Sequence, residues 1–186
     1  HMEAVGYDLY CKMLNEAVKH LKGADIKEEF QTTIDLDINA FIPAEYILNE
    51  FQKLDIYKRI AAIENDEECD DMRAELLDRF GTLPASVENL LQISLIRARA
   101  HRLYVEEIKG KKDGITITMN TKADIKVENI PVVIKESGDK LRFTAKHIPT
   151  FFMRLYPTGF DKKDEEMLLT TTADIIESME TYLLKQ

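Results

Sequence analysis

The stretch Ala74-Glu75-Leu76-Leu77-Asp78-Arg79-Phe80-Gly81-Thr82-Leu83-Pro84 ends one amphipathic helix and begins another. Gly81 predicts a left-handed helix stop, and Pro84 suits the first turn of the helix that follows. Glu75 and Asp78 lie three residues apart just before the stop, so they share one exposed face of the first helix. The stretch therefore predicts two helices joined by a tight turn, with a pair of acids beside it.

Helical spacing of apolar residues extends to both sides of this turn. It predicts helices from about Asp66 to Phe80 and from Pro84 to Arg102, preceded by a helix from Asn49, its N-cap, to about Ile63. The expected inward residues of that preceding helix are Phe51, Leu54, Ile60 and Ala61. Those of the other two are Cys69, Met72, Leu76, Phe80, Val87, Leu90, Leu91, Ser94, Leu95 and Ala98. Short connections between three consecutive helices favour a compact helical cluster.

The rest of the chain adds two terminal helices and several strands. Helices are predicted from Glu3 to Lys22 and from a Thr172 cap to Leu184, and Ile125 to Lys135 is ambiguous because Pro131 interrupts it. Alternation of apolar and polar residues predicts strands at Thr33–Ile42, Leu103–Ile108, Ile115–Met119 and Leu141–Ala145, and Phe151–Tyr156 is expected to be buried. The fold class is α+β: an N-terminal helix and a compact helical cluster packed with a small, mostly antiparallel sheet, then a C-terminal helix.

Composition limits the class of protein. The 186 residues are 45% apolar, enough for one domain with room for two sub-clusters. The formal net charge of −9 repels a phosphate backbone, so we expect no direct DNA binding. Cys11 and Cys69 lie far apart, which favours a reduced, cytoplasmic protein, and no apolar run is long enough to cross a membrane. His1-Met2 is interpreted as a cloning scar, and 3–186 as a single domain excised from a longer chain.

The sequence lacks the patterns that enzymes and metal sites require. The seven glycines are isolated, so no phosphate-binding loop is present. The cysteines and histidines show no metal-ligand spacing, and no serine lies in a nucleophile motif. We expect no catalytic residue, no metal and no cofactor in this chain.

The helix predicted from Asp66 to Phe80 carries a continuous acidic stripe. Glu68, Asp71, Glu75 and Asp78 advance by three, four and three residues, which keeps them on one side of the helix. One hypothesis is that the acids only solvate the helix and that the early ones complement its positive N-terminus. It explains Glu68 and Asp71 but not Asp78, which lies at the negative end of the helix. The other hypothesis is a docking surface for a basic partner. The residues alone leave both open.

Two other classes of function also remain open. Arg97, Arg99 and Arg102 lie on the predicted outer face of the third helix of the cluster and could contact nucleic acid or RNA polymerase. A hydrolase that uses acidic side chains is the second. It would require a deep pocket with two convergent, buried carboxylates, and the sequence shows no sign of one.

Four ordered motifs resemble a known family. They are Val5-Gly6-Tyr7-Asp8-Leu9-Tyr10, Ile42-Pro43-Ala44-Glu45-Tyr46-Ile47, Leu54-Asp55-Ile56-Tyr57-Lys58-Arg59-Ile60, and the opening stretch from Glu75 to Pro84. They are similar to the C-terminal (TRCF) domain of bacterial transcription-repair coupling factors, also called Mfd. Beyond Arg102 the resemblance weakens, and the segment from His147 to Thr170 is longer than is usual in that family.

The resemblance implies a non-catalytic regulatory domain. The parent would be an ATP-driven DNA translocase that displaces stalled RNA polymerase and recruits nucleotide excision repair, with ATP and Mg²⁺ bound only in its upstream motor. The domain would pack on an N-terminal module similar to the excision-repair B subunit and mask the surface that binds the A subunit. The acids of the family's Glu-Leu-x-Asp-Arg-Phe-Gly motif, here Glu75 and Asp78, would belong to that autoinhibitory contact, with a basic counterpart on the module.

Overall fold

The computed structural model describes residues 30–111, 113–155 and 162–185. The helix predicted from Glu3 to Lys22, Cys11 and the first family motif lie outside the described residues. The chain divides into two compact units. The first contains the described residues 30–31 and 39–98, and the second contains 32–38 and the described residues from 99 onward.

The described residues of the first unit form three helices: α1 (Glu50–Ala61), α2 (Asp66–Phe80) and α3 (Ala85–Arg102), whose last turn belongs to the second unit. Asparagine side chains cap the first two. Asn49 Oδ1 accepts hydrogen bonds from the backbone N–H groups of Phe51 and Gln52, and Asn65 Oδ1 accepts one from Glu68. The predicted helices and the predicted Asn49 cap are confirmed.

The inward face predicted for α1 is partly wrong. Phe51 is 84% exposed and Leu54 is 46% exposed. The buried side of α1 is formed instead by Lys53, Ile56, Tyr57, Ile60 and Ala61. The buried Tyr57 hydroxyl accepts a hydrogen bond from the backbone N–H of Ile42 at 2.9 Å, which fixes the rotation of the helix about its axis.

A five-stranded sheet forms the centre of the second unit, in the order β1-β2-β3-β5-β4. The strands are β1 (Thr33–Leu36), β2 (Val105–Lys111), β3 (Gly114–Met119), β4 (Leu141–Thr144) and β5 (Thr150–Arg154). β1 runs parallel to β2, and the other three pairings are antiparallel, which confirms the α+β class with a mostly antiparallel sheet.

Two remaining helices lie in the second unit, α4 (Ile130–Glu136) after a 3₁₀ turn at Val127–Asn129, and α5 (Lys162–Leu183). Pro131 begins α4 rather than interrupting it, because a proline in the first turn requires no backbone N–H. The predicted Thr172 cap is wrong. Thr172 is buried in the middle of α5, and its hydroxyl donates to the backbone carbonyl of Leu168 at 2.7 Å.

The strand predicted over Thr33–Ile42 is shorter than its alternation indicates. The backbone N–H of Ile38 donates to the carbonyl of Leu36 at 2.8 Å, a tight turn that ends β1. From Asn39 the chain continues in the first unit, and Ala40 and Ile42 are buried there instead of in the sheet. The alternation of more and less buried residues therefore continues beyond the end of the strand.

Candidate docking site

The turn between α2 and α3 holds the acidic end of α2 in place. Gly81 has φ 87° and ψ −167°, so its backbone is not left-handed helical as predicted. It occupies a region that is essentially restricted to glycine. No atom lies within 4 Å of the position that a Cβ would occupy, so backbone conformation rather than space requires the glycine.

Tyr46 fastens this turn to the rest of the unit. Its hydroxyl lies 2.8 Å from the carbonyl oxygen of Gly81 and 3.2 Å from that of Leu76, and it can donate to either. Its ring packs against Phe80 with the ring centres 5.8 Å apart. Sequence reasoning placed Tyr46 in the second family motif without assigning it this role.

Glu75 is held by two arginines of its own chain. Arg59 on α1 donates to both carboxylate oxygens, and Arg79 Nη1 donates to Oε2 at 2.9 Å. The hydrogen bonds from Arg59, assisted by Arg79, lower the pKa of Glu75 to about 2. Two guanidinium groups around one carboxylate leave this cluster with net positive charge, so Glu75 is not an isolated anion.

The other three acids of the predicted stripe differ among themselves. Glu68 Oε2 accepts a hydrogen bond from the backbone N–H of Glu64 at 2.8 Å and thereby helps Asn65 to close the start of α2. Asp71 and Asp78 are exposed, and within the described part of the chain their side chains form no ion pair or hydrogen bond. The stripe therefore offers two free carboxylates, one near its middle and one at its end.

A shallow hollow of about 330 Å³ lies beside this stripe. Its acidic wall is formed by Glu68, Asp71 and Glu75. The rest is formed by Arg59, Ala62, Ile63 and Met72. Asp78 lies outside the hollow, so the structure brings three of the four predicted residues together and leaves the fourth on the neighbouring surface.

The three arginines of the alternative hypothesis are engaged in contacts within their own units. Arg97, in the first unit, donates to the backbone carbonyl of Ala61. In the second unit, Arg99 and Arg102 form ion pairs with Glu180, with N–O distances of 3.6 and 3.9 Å. The predicted outer basic face is therefore not one continuous free surface.

The described residues do not provide the buried carboxylates that the hydrolase hypothesis requires. No Asp or Glu side chain among them is buried, whereas a catalytic acid requires an apolar pocket to raise its pKa. No group of three or more histidine, cysteine or carboxylate side chains within 30–111, 113–155 and 162–185 could hold a metal ion. No helix in those same ranges is both long enough and apolar enough to span a membrane.

The structure thus shows an α+β fold with an acidic helix edge, and comparisons with known proteins identify its family. The TRCF domain family matches residues 36–130. Similar curated proteins are the transcription-repair-coupling factors of Bacillus subtilis (38% identical over 128 residues), Haemophilus influenzae (35% over 147) and Helicobacter pylori (31% over 148). The matches cover 68%, 76% and 80% of this chain, and 11%, 13% and 14% of those proteins. The chain belongs to the TRCF domain family.

A solved structure supports the same fold. The crystal structure of the C-terminal domain of a transcription-repair coupling factor superposes with a TM-score of 0.64 and 24% sequence identity. The superposition covers 82% of this chain and 96% of that one. The fold and family expected from the four motifs are confirmed.

Proposed function

We propose that this chain is a non-catalytic regulatory domain that docks through the acidic side of α2 on a basic surface of the N-terminal module of the same protein. By family resemblance, that module is similar to the excision-repair B subunit. Docking would mask the surface that recruits the A subunit. The contact with RNA polymerase and the ATP-driven motor would belong to the rest of the parent protein.

Asp78 carries this proposal. It lies in the last turn of α2, where the helix dipole disfavours an anion, and no cation of the described chain pairs with it. Such a side chain costs a little stability in the isolated domain and becomes favourable once a partner supplies positive charge. Asp71 adds a second free carboxylate on the same side of the helix.

Glu75 plays a different part in the proposal. Its carboxylate forms ion pairs with Arg59 and Arg79 and so reduces the positive charge that these arginines would present to a basic partner. A contact dominated by exposed charges has a small net free energy, as a releasable autoinhibitory interface requires.

Calorimetric titration of this chain with the N-terminal module of its parent tests the proposal. We expect Asp78→Asn to weaken the affinity about two- to fivefold, the range of an exposed ion pair, and Asp71→Asn to add to the loss. Glu177→Gln is the matched control, because Glu177 is an exposed acid on α5 and its loss changes the net charge equally. Unchanged affinity in the Asp78→Asn, Asp71→Asn double variant would refute the docking assignment.

A further inference from the structure

Within the second unit, neither α4 nor α5 packs on one face of the sheet, which we call the open face. Leu168 of α5 reaches the strand at Gly110, on the same face as Leu36. Both α4 and α5 line a hollow together with Leu141 of β4 and Met153 of β5. The two helices therefore share one face of the sheet. Because successive side chains of a strand point to opposite faces, every second residue of each strand points away from the helices.

Strand register arranges the side chains of this open face in rows. In one row Lys109 pairs with Thr116, Thr116 with Phe152, and Phe152 with Arg142. The next row places Lys111, Gly114 and Arg154 side by side. The open face thus has the Phe152 ring near its centre and basic residues on both sides of it, with the acids Asp35 and Glu107 at its β1–β2 edge.

Most of the basic side chains in these two rows have no ion-pair partner among the described residues. Lys109, Arg142 and Arg154 are exposed, and the described structure shows no ion pair or hydrogen bond of their side chains. Lys111 alone is paired, with Asp35 at 3.2 Å. Unpaired cations on one surface attract an anionic partner locally, although the net charge of −9 repels anions from the chain as a whole.

The Phe152 ring packs against the backbone of β3 at Gly114. A Cβ on Gly114 would lie 2.8 Å from two atoms of its ring, so the ring lies directly on the backbone of β3. The ring is half-buried, which leaves part of it open to solvent between Arg142 and Thr116. Gly114 makes this close approach possible.

We propose that this open sheet face binds single-stranded nucleic acid, with a base stacked on Phe152 and phosphates contacted by Lys109, Arg142 and Arg154. Sheet surfaces that bind single strands combine a stacking aromatic with a surrounding positive groove. An acidic peptide would satisfy the cations but would give no role to the half-buried aromatic ring among them. A duplex does not expose an unpaired base to stack.

Fluorescence anisotropy with a labelled oligothymidylate of about 20 nucleotides, long enough for several contacts, tests this proposal on the whole chain. We expect binding that weakens steeply from about 50 to 200 mM salt. Arg142→Ser should flatten the slope of log affinity against log salt by about 0.7. Phe152→Leu should weaken binding about fivefold, whereas Phe152→Tyr, which can still stack, should retain it.

Matched controls lie in the first unit. Phe51→Leu removes another exposed phenylalanine, and Lys58→Ser another exposed cation, so neither should change binding. Urea unfolding of every variant establishes that it is folded. The proposal fails if the oligonucleotide does not bind at low salt, or if Phe152→Leu binds as well as Phe152→Tyr. It also fails if a poly-glutamate peptide of equal charge competes as well as unlabelled oligonucleotide, which would indicate an acidic protein partner.

Discussion

Glu75 and Asp78 look alike in the sequence, three residues apart on one helix face, yet their surroundings differ. Glu75 is enclosed by Arg59 and Arg79, whereas Asp78 has no bonding partner within the described chain. Arg59 comes from another helix, so spacing along α2 could not reveal this difference. Replacing Glu75 should therefore lower the stability of the fold, whereas replacing Asp78 should weaken docking.

The lowered pKa of Glu75 predicts a pH dependence of stability. The pKa falls from an ordinary 4.5 to about 2, so folding favours the ionised carboxylate. Its stabilising contribution is complete above the unfolded pKa and is lost as pH falls from about 4.5 towards 2. We expect the free energy of unfolding, measured by urea titration at stepped pH, to fall more steeply in this window for the natural chain than for Glu75→Gln.

Many other carboxylates titrate in the same window, so the comparison requires a matched variant. Glu177→Gln removes an exposed acid with no ion pair among the described residues and should keep the natural slope. Parallel curves for Glu75→Gln and the natural chain would show that the two arginines contribute nothing to folding at acidic pH.

At the scale of elements, the α2–α3 turn depends on the backbone of Gly81. Its positive φ combined with an extended ψ is strained for any residue with a Cβ. We expect Gly81→Ala to lower the free energy of unfolding by about 1–3 kcal/mol. Urea unfolding measures this loss.

Thr82→Ala, at the exposed neighbouring position, is the control for Gly81→Ala and should stay within about 0.5 kcal/mol of the natural chain. A loss as small for Gly81→Ala as for the control would show that the turn relaxes to another conformation.

The helices of the first unit could be predicted well from sequence, because residues next to their ends mark where they begin and end. Asn49 and Asn65 cap the starts of α1 and α2, and Gly81 follows the end of α2. The orientation of α1 could not be predicted in the same way. Lys53 lies on its buried side and Phe51 on its exposed side, since Tyr57 bonds to the backbone of Ile42 and fixes the rotation. Similarly, Thr172 resembles a cap in sequence, but a buried hydroxyl can bond to the preceding turn of its own helix.

At the scale of the molecule, net charge describes the chain as a whole and not its separate surfaces. The value of −9 led to the expectation of no direct DNA binding, yet charge is distributed unevenly between surfaces. Acids line one side of α2, whereas strand register collects Lys109, Arg142 and Arg154 on the open sheet face. Register depends on pairings between distant segments, so this second surface could not be found from sequence alone.

The acidic side of α2 should act mainly on the rate of association. Exposed charges steer the encounter of two partners and are screened by salt over roughly 10 Å at 0.1 M. We expect the rate of association with the N-terminal module, measured by stopped-flow fluorescence, to fall with added salt. The Asp78→Asn, Asp71→Asn double variant should associate more slowly and depend less on salt, with its dissociation rate nearly unchanged.

The Glu177→Gln control separates local from overall charge, because it removes one negative charge, against two in the double variant, and leaves α2 intact. It should follow the salt dependence of the natural chain. A double variant that instead dissociates much faster at an unchanged association rate would contradict steering by exposed charge. It would mean that Asp78 becomes buried against a cation in the complex, because loss of a buried charge pair acts on dissociation.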